Sequence, residues 1–256
     1  MTAFSANLGF LWTELALPDA IRAAKGAGFA AVELHWPYDV PSDVVRAALE
    51  ETGLPVLGLN TRRGDVAGGE NGLSALPGRE ADARAAIDEA IAYARAIGCP
   101  AVHVMAGFAS GAAAERCYVE NLRHACDAAR DMTVLIEPLN RYDAPGYFLS
   151  TTTQALAVIE AVVKDNLKLM FDCYHVQLME GDLTHRLERL LPQIGHIQCA
   201  SVPDRGALDH GEISYAHLCR VIDELGWAVP LGAEYKPRGA TEPTLGWLST
   251  LAGGTE

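Results

Sequence analysis

Polar side chains with oxygen donors close several strongly apolar runs of the sequence. Glu137 follows TVLI, and Asp172 follows LKLMF. Gln198 closes HIQ, and Glu234 closes PLGAE. Three carboxylates brought together would repel one another, and burial would add a desolvation cost that a divalent cation offsets. Oxygen-only ligands favour Mg²⁺ or Mn²⁺, with Co²⁺ also suitable, whereas zinc more often recruits histidine or cysteine. These residue types predict one metal site if the fold brings the four runs together.

The elements that must position these residues alternate between two periods. Short apolar runs of β character are each followed by a helical stretch and then by Gly or Pro. The predicted strands are Ala6–Phe10, Ala31–Leu34, Val56–Leu59, Ala101–Met105, Val134–Glu137, Leu167–Asp172, His196–Cys199 and Leu231–Glu234. The predicted helices cover 18–27, 42–52, 79–97, 113–130, 153–163, 183–191 and 214–225, with a shorter one after Thr241. This alternation predicts a parallel sheet closed into one α/β domain, a single (β/α)₈ TIM barrel over residues 1–256.

An open doubly wound sheet is the structural alternative to the barrel. It would usually have fewer strands, and a nucleotide-binding version would carry G-x-G-x-x-G after the first strand, which this sequence lacks. In the barrel, catalytic side chains lie at the carboxyl ends of the strands, where the four oxygen donors are expected.

The stretch 60–78 (NTRRGDVAGGENGLSALPG) is rich in glycine and has no periodicity. Loops of this length in a compact domain are usually functional lids or disordered. Arg62 and Arg63 lie within it, and they would either close over an anionic substrate or remain solvated surface charges.

Composition and charge limit the classes of partner. The chain has 256 residues, half of them hydrophobic, and 33 acidic against 20 basic side chains give a net charge of −13. This excess repels phosphate backbones and anionic headgroups, so neither nucleic acid nor a membrane is expected as a partner. The six cysteines are scattered without a C-x-x-C pair, and the N-terminal segment has no basic region typical of a signal peptide. A cytoplasmic location is therefore expected.

Longer motifs carry a resemblance to a known family. The segments are ANLGFLWTEL (6–15), GLSALPGRE (72–80), VHVMAG (102–107), IEPLNRYDAPGYFL (136–149), FDCYHVQLMEGDL (171–183), GHIQCASVPDR (195–205), GEISY (211–215) and GAEYKPRG (232–239). Together they resemble the hydroxypyruvate isomerase family, which includes 2-oxo-tetronate isomerases and belongs to the xylose isomerase-like TIM barrels. The likeness extends over essentially the whole chain.

The resemblance implies roles for residues already singled out. It implies that Glu137, Asp172, Gln198 and Glu234 hold the divalent metal, with Gln198 where ketose 3-epimerases have histidine. Glu137 and Glu234 would be the proton donor and acceptor in the interconversion of hydroxypyruvate and tartronate semialdehyde. His175 and Arg205 would contact the substrate, a small 2-oxo acid or sugar acid. Barrels of this family often self-associate, so a homo-oligomer is also expected.

Three further residues have two interpretations each. His103, near the end of the fourth strand, would hydrogen-bond substrate or be a satisfied core histidine. Asp143 would contact a substrate hydroxyl or cap a loop. Lys236 points to the same side of its strand as Glu234, toward the site or toward a surface ion pair.

Other functions remain as alternatives. The same scaffold would serve a 2-oxo-tetronate isomerase or a ketose 3-epimerase. A barrel nuclease of the endonuclease IV kind would need three metals, more histidine ligands and a basic face. A non-catalytic binding protein would not need the complete set of four ligands.

Overall fold

Eight parallel strands pair in chain order and close on themselves, β1 against β8, in a computed structural model that describes residues 2–252. The strands are β1 Phe4–Asn7, β2 Ala31–Leu34, β3 Val56–Asn60, β4 Ala101–His103, β5 Thr133–Ile136, β6 Leu167–Asp172, β7 Ile194–Cys199 and β8 Leu231–Ala233. The helices are α1 Leu17–Gly26, α2 Ser42–Thr52, α3 Glu80–Ile97, α4 Gly111–Ala128, α5 Thr152–Val162, α6 Cys173–Met179, α7 Leu183–Leu190, α8 Tyr215–Glu224 and α9 Gly246–Ala252. The prediction of a closed (β/α)₈ barrel is confirmed.

The helices surround the barrel because each has one apolar stripe. In α3 the alanines and isoleucines at i, i+4, i+7 and i+8 from Ala83 are buried, while the opposite face is exposed. Gly98 then ends α3 in the left-handed region at φ +70°, where a side chain with a Cβ would be disfavoured. Among residues 2–252, none of the helices combines the length and the hydropathy that a membrane span requires.

The carboxyl ends of the strands differ from the prediction by a few residues. β1 ends at Asn7 rather than Phe10, because the chain turns there and Gly9 N donates to Asn7 Oδ1 at 3.0 Å. β5 and β8 each end one residue before the predicted glutamate, so Glu137 and Glu234 begin the following loops. Their side chains are nevertheless buried at the rim of the barrel.

One helix was not predicted. The seven residues of α6 follow β6 without an intervening loop, and Asp172 caps the helix by accepting a hydrogen bond from Tyr174 N at 2.8 Å. A helix of two turns gives too few residues for a recognisable stripe. Its start signal, an aspartate followed by CYHVQLM, was present in the sequence.

The segment 60–78 is ordered by contacts with the loop after β4. Gly72 bridges to Ala106, and Ala75 N donates to Ala106 O at 2.7 Å. Gly72 has φ +112°, and a Cβ there would lie 2.8 Å from the backbone of Met105, so glycine is required at this close approach. The segment thereby brings Asn71 to the mouth of the barrel.

Candidate active site

A cavity of about 270 Å³ opens at the carboxyl ends of the strands. It is smaller than the pockets that hold drug-sized ligands, about 300–1,000 Å³, so it suits a substrate of a few carbon atoms. The lining residues are Phe10, His35, Trp36, Asn60, Asn71, His103, Met105, Glu137, Leu139, Asp143, Ala144, His175, Arg205, Glu234 and Lys236.

The four predicted metal ligands are buried side chains on consecutive strands at this rim. Glu137 follows β5, Asp172 ends β6, Gln198 lies in β7 and Glu234 follows β8. Asp172 and Gln198 are direct partners in the β6–β7 register. Glu137 Oε1, Asp172 Oδ2 and Gln198 Oε1 are buried acceptors without a hydrogen-bond partner among residues 2–252. Unpaired buried oxygens are costly, so three at one place point to a bound group.

Local structure determines which oxygen of each side chain is free. Asp172 uses Oδ1 to cap α6 through Tyr174 N, which leaves Oδ2 unengaged. The Gln198 amide donates from Nε2 to Glu33 Oε2 at 2.8 Å, which leaves Oε1 unengaged. Each side chain is therefore held by one polar atom and offers the other.

Glu234 is the most heavily engaged of the four. Its Oε1 lies 2.7 Å from His35 Nε2 and accepts from Asn7 Nδ2 at 3.0 Å. Its Oε2 accepts from Arg205 Nη2 at 2.5 Å. The side chain is oriented by three neighbours on three different segments.

His175 lies beside two of these carboxylates. Its Nε2 is 3.7 Å from Glu137 Oε1 and 3.6 Å from Asp172 Oδ2, and the three residues form a group whose ligand atoms lie within 4.8 Å of one another. However, His175 Nδ1 accepts a hydrogen bond from Asn140 N at 3.0 Å. In a neutral imidazole this acceptor role assigns the proton to Nε2, which then donates and does not ligate. His175 Nε2 is thus suited to donate a hydrogen bond.

The donor set fits a hard divalent cation. Three unpartnered oxygens from two carboxylates and one amide, with a third carboxylate on the next strand, are the ligand types that Mg²⁺ and Mn²⁺ prefer. The tautomer of His175 removes the nitrogen ligand from the group that it forms with Glu137 and Asp172, and a nitrogen ligand there would favour zinc.

The two glutamates have opposite electrostatic environments. Burial and the charges of Glu234 and Asp172 raise the pKa of Glu137 well above its usual value. Burial acts in the same direction on Glu234, but Arg205 and His35 outweigh it and hold the pKa of Glu234 below its usual value. When only the charges of the protein's side chains act, Glu137 favours the protonated form and Glu234 favours the ionised form.

Arg205 reaches the cavity from the loop after β7 with an unusual backbone. Its φ of +52° lies in the left-handed region, which costs a non-glycine residue about 1–3 kcal/mol and is common at functional sites. The guanidinium packs over the rings of Phe10 and Tyr174, 4.7 and 5.1 Å from their centroids. It lies against Glu234 and 3.6 Å from Asp172, so its nearest partners are the candidate ligands.

The remaining predicted site residues also line the cavity. His103 Nδ1 lies 3.3 Å from Asn60 Oδ1, and burial lowers the pKa of His103 to about 3, so the imidazole is neutral. Its Nε2 has no partner in the described chain and is left as an acceptor. Asp143 accepts from Asn140 Nδ2 at 3.2 Å and lies 3.7 Å from Arg205.

The three weaker basic candidates separate into two groups. Arg62 pairs with Glu89 on the surface, as its solvated interpretation predicts. Arg63 stacks on Trp36, with its Cζ 3.8 Å from the ring centroid, and Lys236 lies at the cavity mouth. Both therefore lie near the entrance.

Several site residues were missed from the sequence. They are Asn7, Glu33, His35, Asn60, Asn71 and Asn140. Period-2 alternation was the available signal, because Glu33 and His35 point to the same side of β2 and its extension. Their location inside AVELHW hid them among apolar neighbours.

Comparison with known proteins agrees with this architecture. Residues 21–251 match the family model described as xylose isomerase-like TIM barrel. The 2-oxo-tetronate isomerase of Cupriavidus necator is 45% identical over 99% of this chain and 100% of its own. The hydroxypyruvate isomerase of Escherichia coli K12 is 39% identical over 97% of this chain and 98% of its own. A crystal structure titled AP endonuclease, family 2, from Brucella melitensis has a TM-score of 0.93 at 39% identity, covering 97% of this chain and 98% of that one.

These matches show that the chain belongs to the xylose isomerase-like TIM barrels, in the group that contains the hydroxypyruvate and 2-oxo-tetronate isomerases. It is an isomerase. The resemblance identified from the motifs is confirmed.

Proposed function

We propose that this chain is a metal-dependent isomerase that interconverts hydroxypyruvate and tartronate semialdehyde. The observation that supports the proposal is the set of three buried, unpartnered oxygens on Glu137, Asp172 and Gln198 at the ends of neighbouring strands, where Glu137 and Glu234 line one small cavity. A bound Mg²⁺ or Mn²⁺ would supply Lewis-acid polarisation of the substrate carbonyl and the adjacent hydroxyl.

The reaction is redox-neutral within the substrate and needs two proton transfers at carbon and one between oxygens. One proton leaves C3 and another is delivered to C2, while the hydroxyl proton passes from O3 to O2. An enediolate connects the two forms. Glu137 and Glu234 are the proton donor and acceptor, because both carboxylates lie at the cavity wall and their surroundings separate their affinities for a proton.

Three other side chains position the substrate. The Nε2–H of His175 points toward the same space as Glu137 and Asp172, where it would donate to a substrate oxygen. His103 Nε2 would accept from a substrate hydroxyl. The guanidinium of Arg205 has more than one donor, so it can hold Glu234 and face the substrate carboxylate at the same time.

A four-carbon 2-oxo-tetronate is the second candidate substrate. The relative with 45% identity over the whole chain carries the name 2-oxo-tetronate isomerase, which favours it. The chemistry would be the same shift between C2 and C3, with the extra carbon directed to the cavity mouth.

The nuclease name of the Brucella protein does not agree with the charges here. Nucleic-acid binding needs a basic surface, and this chain has a net charge of −13. Among residues 2–252, one group of three histidine, cysteine or acidic side chains has the spacing for a metal, too few for a three-metal cluster.

The test is a set of assays on the purified chain stripped with EDTA and reloaded with Mn²⁺. Proton NMR in D₂O follows hydroxypyruvate, a 2-oxo-tetronate and common ketoses, and deuterium incorporation at C2 or C3 reports the proton transfers. We expect metal-dependent conversion and exchange with one or both 2-oxo acids. Exchange with ketoses alone, or metal-independent conversion, would contradict the proposal.

A further inference from the structure

A fourth carboxylate, Glu33, is buried in the barrel directly behind the candidate ligands. It lies on β2 and is 4% exposed, and it does not line the cavity. Its Oε1 accepts from Ser5 Oγ and lies 3.0 Å from His196 Nε2. Its Oε2 accepts from Gln198 Nε2 at 2.8 Å and lies 3.5 Å from Asn7 Nδ2. A buried charge with this many partners needs an explanation that the proposed proton transfers do not provide.

The contact with Gln198 determines which end of an amide faces the cavity. A glutamine side chain can present either its oxygen or its NH₂ group, and only the oxygen is an acceptor or a metal ligand. If the Gln198 amide were flipped, its oxygen would face the Glu33 carboxylate, and the two acceptors would repel each other. The NH₂ group is therefore held against Glu33, and Oε1 is turned away as a free acceptor.

Glu33 is also connected to Glu234 through contacts with the Asn7 side chain. The Asn7 amide donates to Glu234 Oε1 at 3.0 Å while lying 3.5 Å from Glu33. Its own oxygen accepts from Gly9 N at 3.0 Å, which determines the orientation of this amide too. One carboxylate thus contacts, directly or through one residue, two of the four candidate ligands.

The neighbouring strand leaves space for this arrangement. Gly232 lies in β8, and a Cβ there would lie 2.8 Å from Gln198 Cγ and closer still to the Glu33 carboxylate. Glycine weakens a strand interior and often marks a close approach of another group. Here the approaching group is the Glu33–Gln198 pair.

We infer that Glu33 is a positioning residue for the metal site. It directs the oxygen of Gln198 toward the cation and, through Asn7, a carboxylate oxygen of Glu234. The inference rests on the proposed ligand set. Loss of partners behind metal ligands typically weakens metal binding by about 10–100-fold.

The experiment measures Mn²⁺ affinity of the EDTA-stripped full chain by isothermal titration calorimetry and by EPR of free Mn²⁺. Glu33→Met removes the acceptor at similar volume, and Glu33→Gln keeps a neutral acceptor. We expect Glu33→Met to bind Mn²⁺ about 10–100-fold more weakly than the wild type. Glu33→Gln should show a smaller loss of Mn²⁺ affinity. Because Glu33→Met could prevent folding, Glu33→Gln on its own also tests the inference.

Two further comparisons separate positioning from general stabilisation. Glu180→Gln is the matched control. Glu180 is also a largely buried carboxylate, but its partners are Thr152 and Arg186, and none of the three lines the cavity. This variant should lower the melting temperature without changing Mn²⁺ affinity. In a Gln198→Leu background, Glu33→Met should cause a smaller loss of Mn²⁺ affinity than in the wild type. The reason is that the direct contact between Glu33 and Gln198 is already absent there.

The outcomes distinguish this inference from the proposed function. Failure of the wild-type chain to bind Mn²⁺ would overturn both. Wild-type binding with unchanged affinity in folded Glu33→Met would overturn the inference alone, and so would unchanged affinity in Glu33→Gln if Glu33→Met does not fold. Equal losses from Glu33→Met with and without Gln198 would also overturn it.

Discussion

Arg205 Nη2 lies 2.5 Å from Glu234 Oε2, so the arginine expected to receive the substrate carboxylate also holds a candidate catalytic glutamate. The guanidinium is buried against Phe10 and Tyr174, and its charge holds the pKa of Glu234 below its usual value. The contact with Arg205 therefore explains why the pKa of Glu234 is lowered while that of Glu137 is raised. Glu137 has no cationic side chain within hydrogen-bond distance in the described chain.

Glu137→Gln and Glu234→Gln should each lower kcat by about 10²–10⁴-fold, the contribution typical of a positioned acid or base. Steady-state rates with hydroxypyruvate, alongside circular dichroism to verify folding, measure this. Turnover near the wild-type rate in either folded variant would refute the assignment of two proton-transfer groups.

The same two variants should differ in their effect on stability when the chain is metal-free. Glu137→Gln removes a carboxyl group from an acidic, buried cluster and should leave the free energy of unfolding unchanged or higher. Glu234→Gln leaves Arg205 without its nearest partner and should lower it by about 1–3 kcal/mol. Urea unfolding in EDTA measures both, and equal destabilisation by the two variants would contradict the electrostatic account.

His175 should remain neutral, with its proton on Nε2, from pH 5 to pH 8. Burial and the charge of Arg205 lower the pKa of His175 well below 6.5, and Asn140 N donates to Nδ1. Two-bond ¹H–¹⁵N spectra of the metal-free chain labelled at histidine report both features. A proton on Nδ1 instead would show that His175 can ligate through Nε2.

Asp204 should make stability depend on acid pH. Burial alone would raise its pKa, but hydrogen bonds with Ser201, His210 and Arg238 hold the pKa below the ordinary 3.8. A lowered folded-state pKa means that the stabilisation is present above about pH 4 and is lost as the pH falls toward the folded-state value. Asp204→Asn should therefore cost about 1 kcal/mol at pH 5.5, where His210 with its raised pKa is still charged, because the carboxylate is partly exposed and screened.

Urea unfolding of the wild type and Asp204→Asn at pH 5.5 and pH 3 measures that dependence. The difference between the two proteins should narrow at pH 3. A constant difference across this range would mean that the Asp204 charge contributes nothing to the loop that carries Arg205.

The barrel and its four oxygen donors were predictable because local patterns encode them. Apolar runs such as LKLMF need a buried strand, and an acid at the end of such a run is too costly to bury without a partner. Gly98 likewise marks the end of α3 by its own conformational preference. These signals depend on residues close together in the chain.

What the sequence could not provide is which side chains meet across the barrel. The contact of Glu33 with Gln198 joins residues 165 positions apart, and that of Asn7 with Glu234 joins residues 227 apart. Such pairs depend on strand register and on space left by Gly232. The engagement of Arg205 with Glu234 depends on a left-handed backbone that no local pattern predicts for arginine.

Anomalous diffraction from crystals soaked in Mn²⁺ and hydroxypyruvate tests the central claim most directly. We predict one strong peak in the cavity, about 2.0–2.2 Å from oxygen atoms of Glu137, Asp172, Gln198 and Glu234, with the substrate's carbonyl and hydroxyl oxygens completing the shell. Absence of a peak, or a peak held by His175 with Gln198 and Glu234 out of contact, would contradict it.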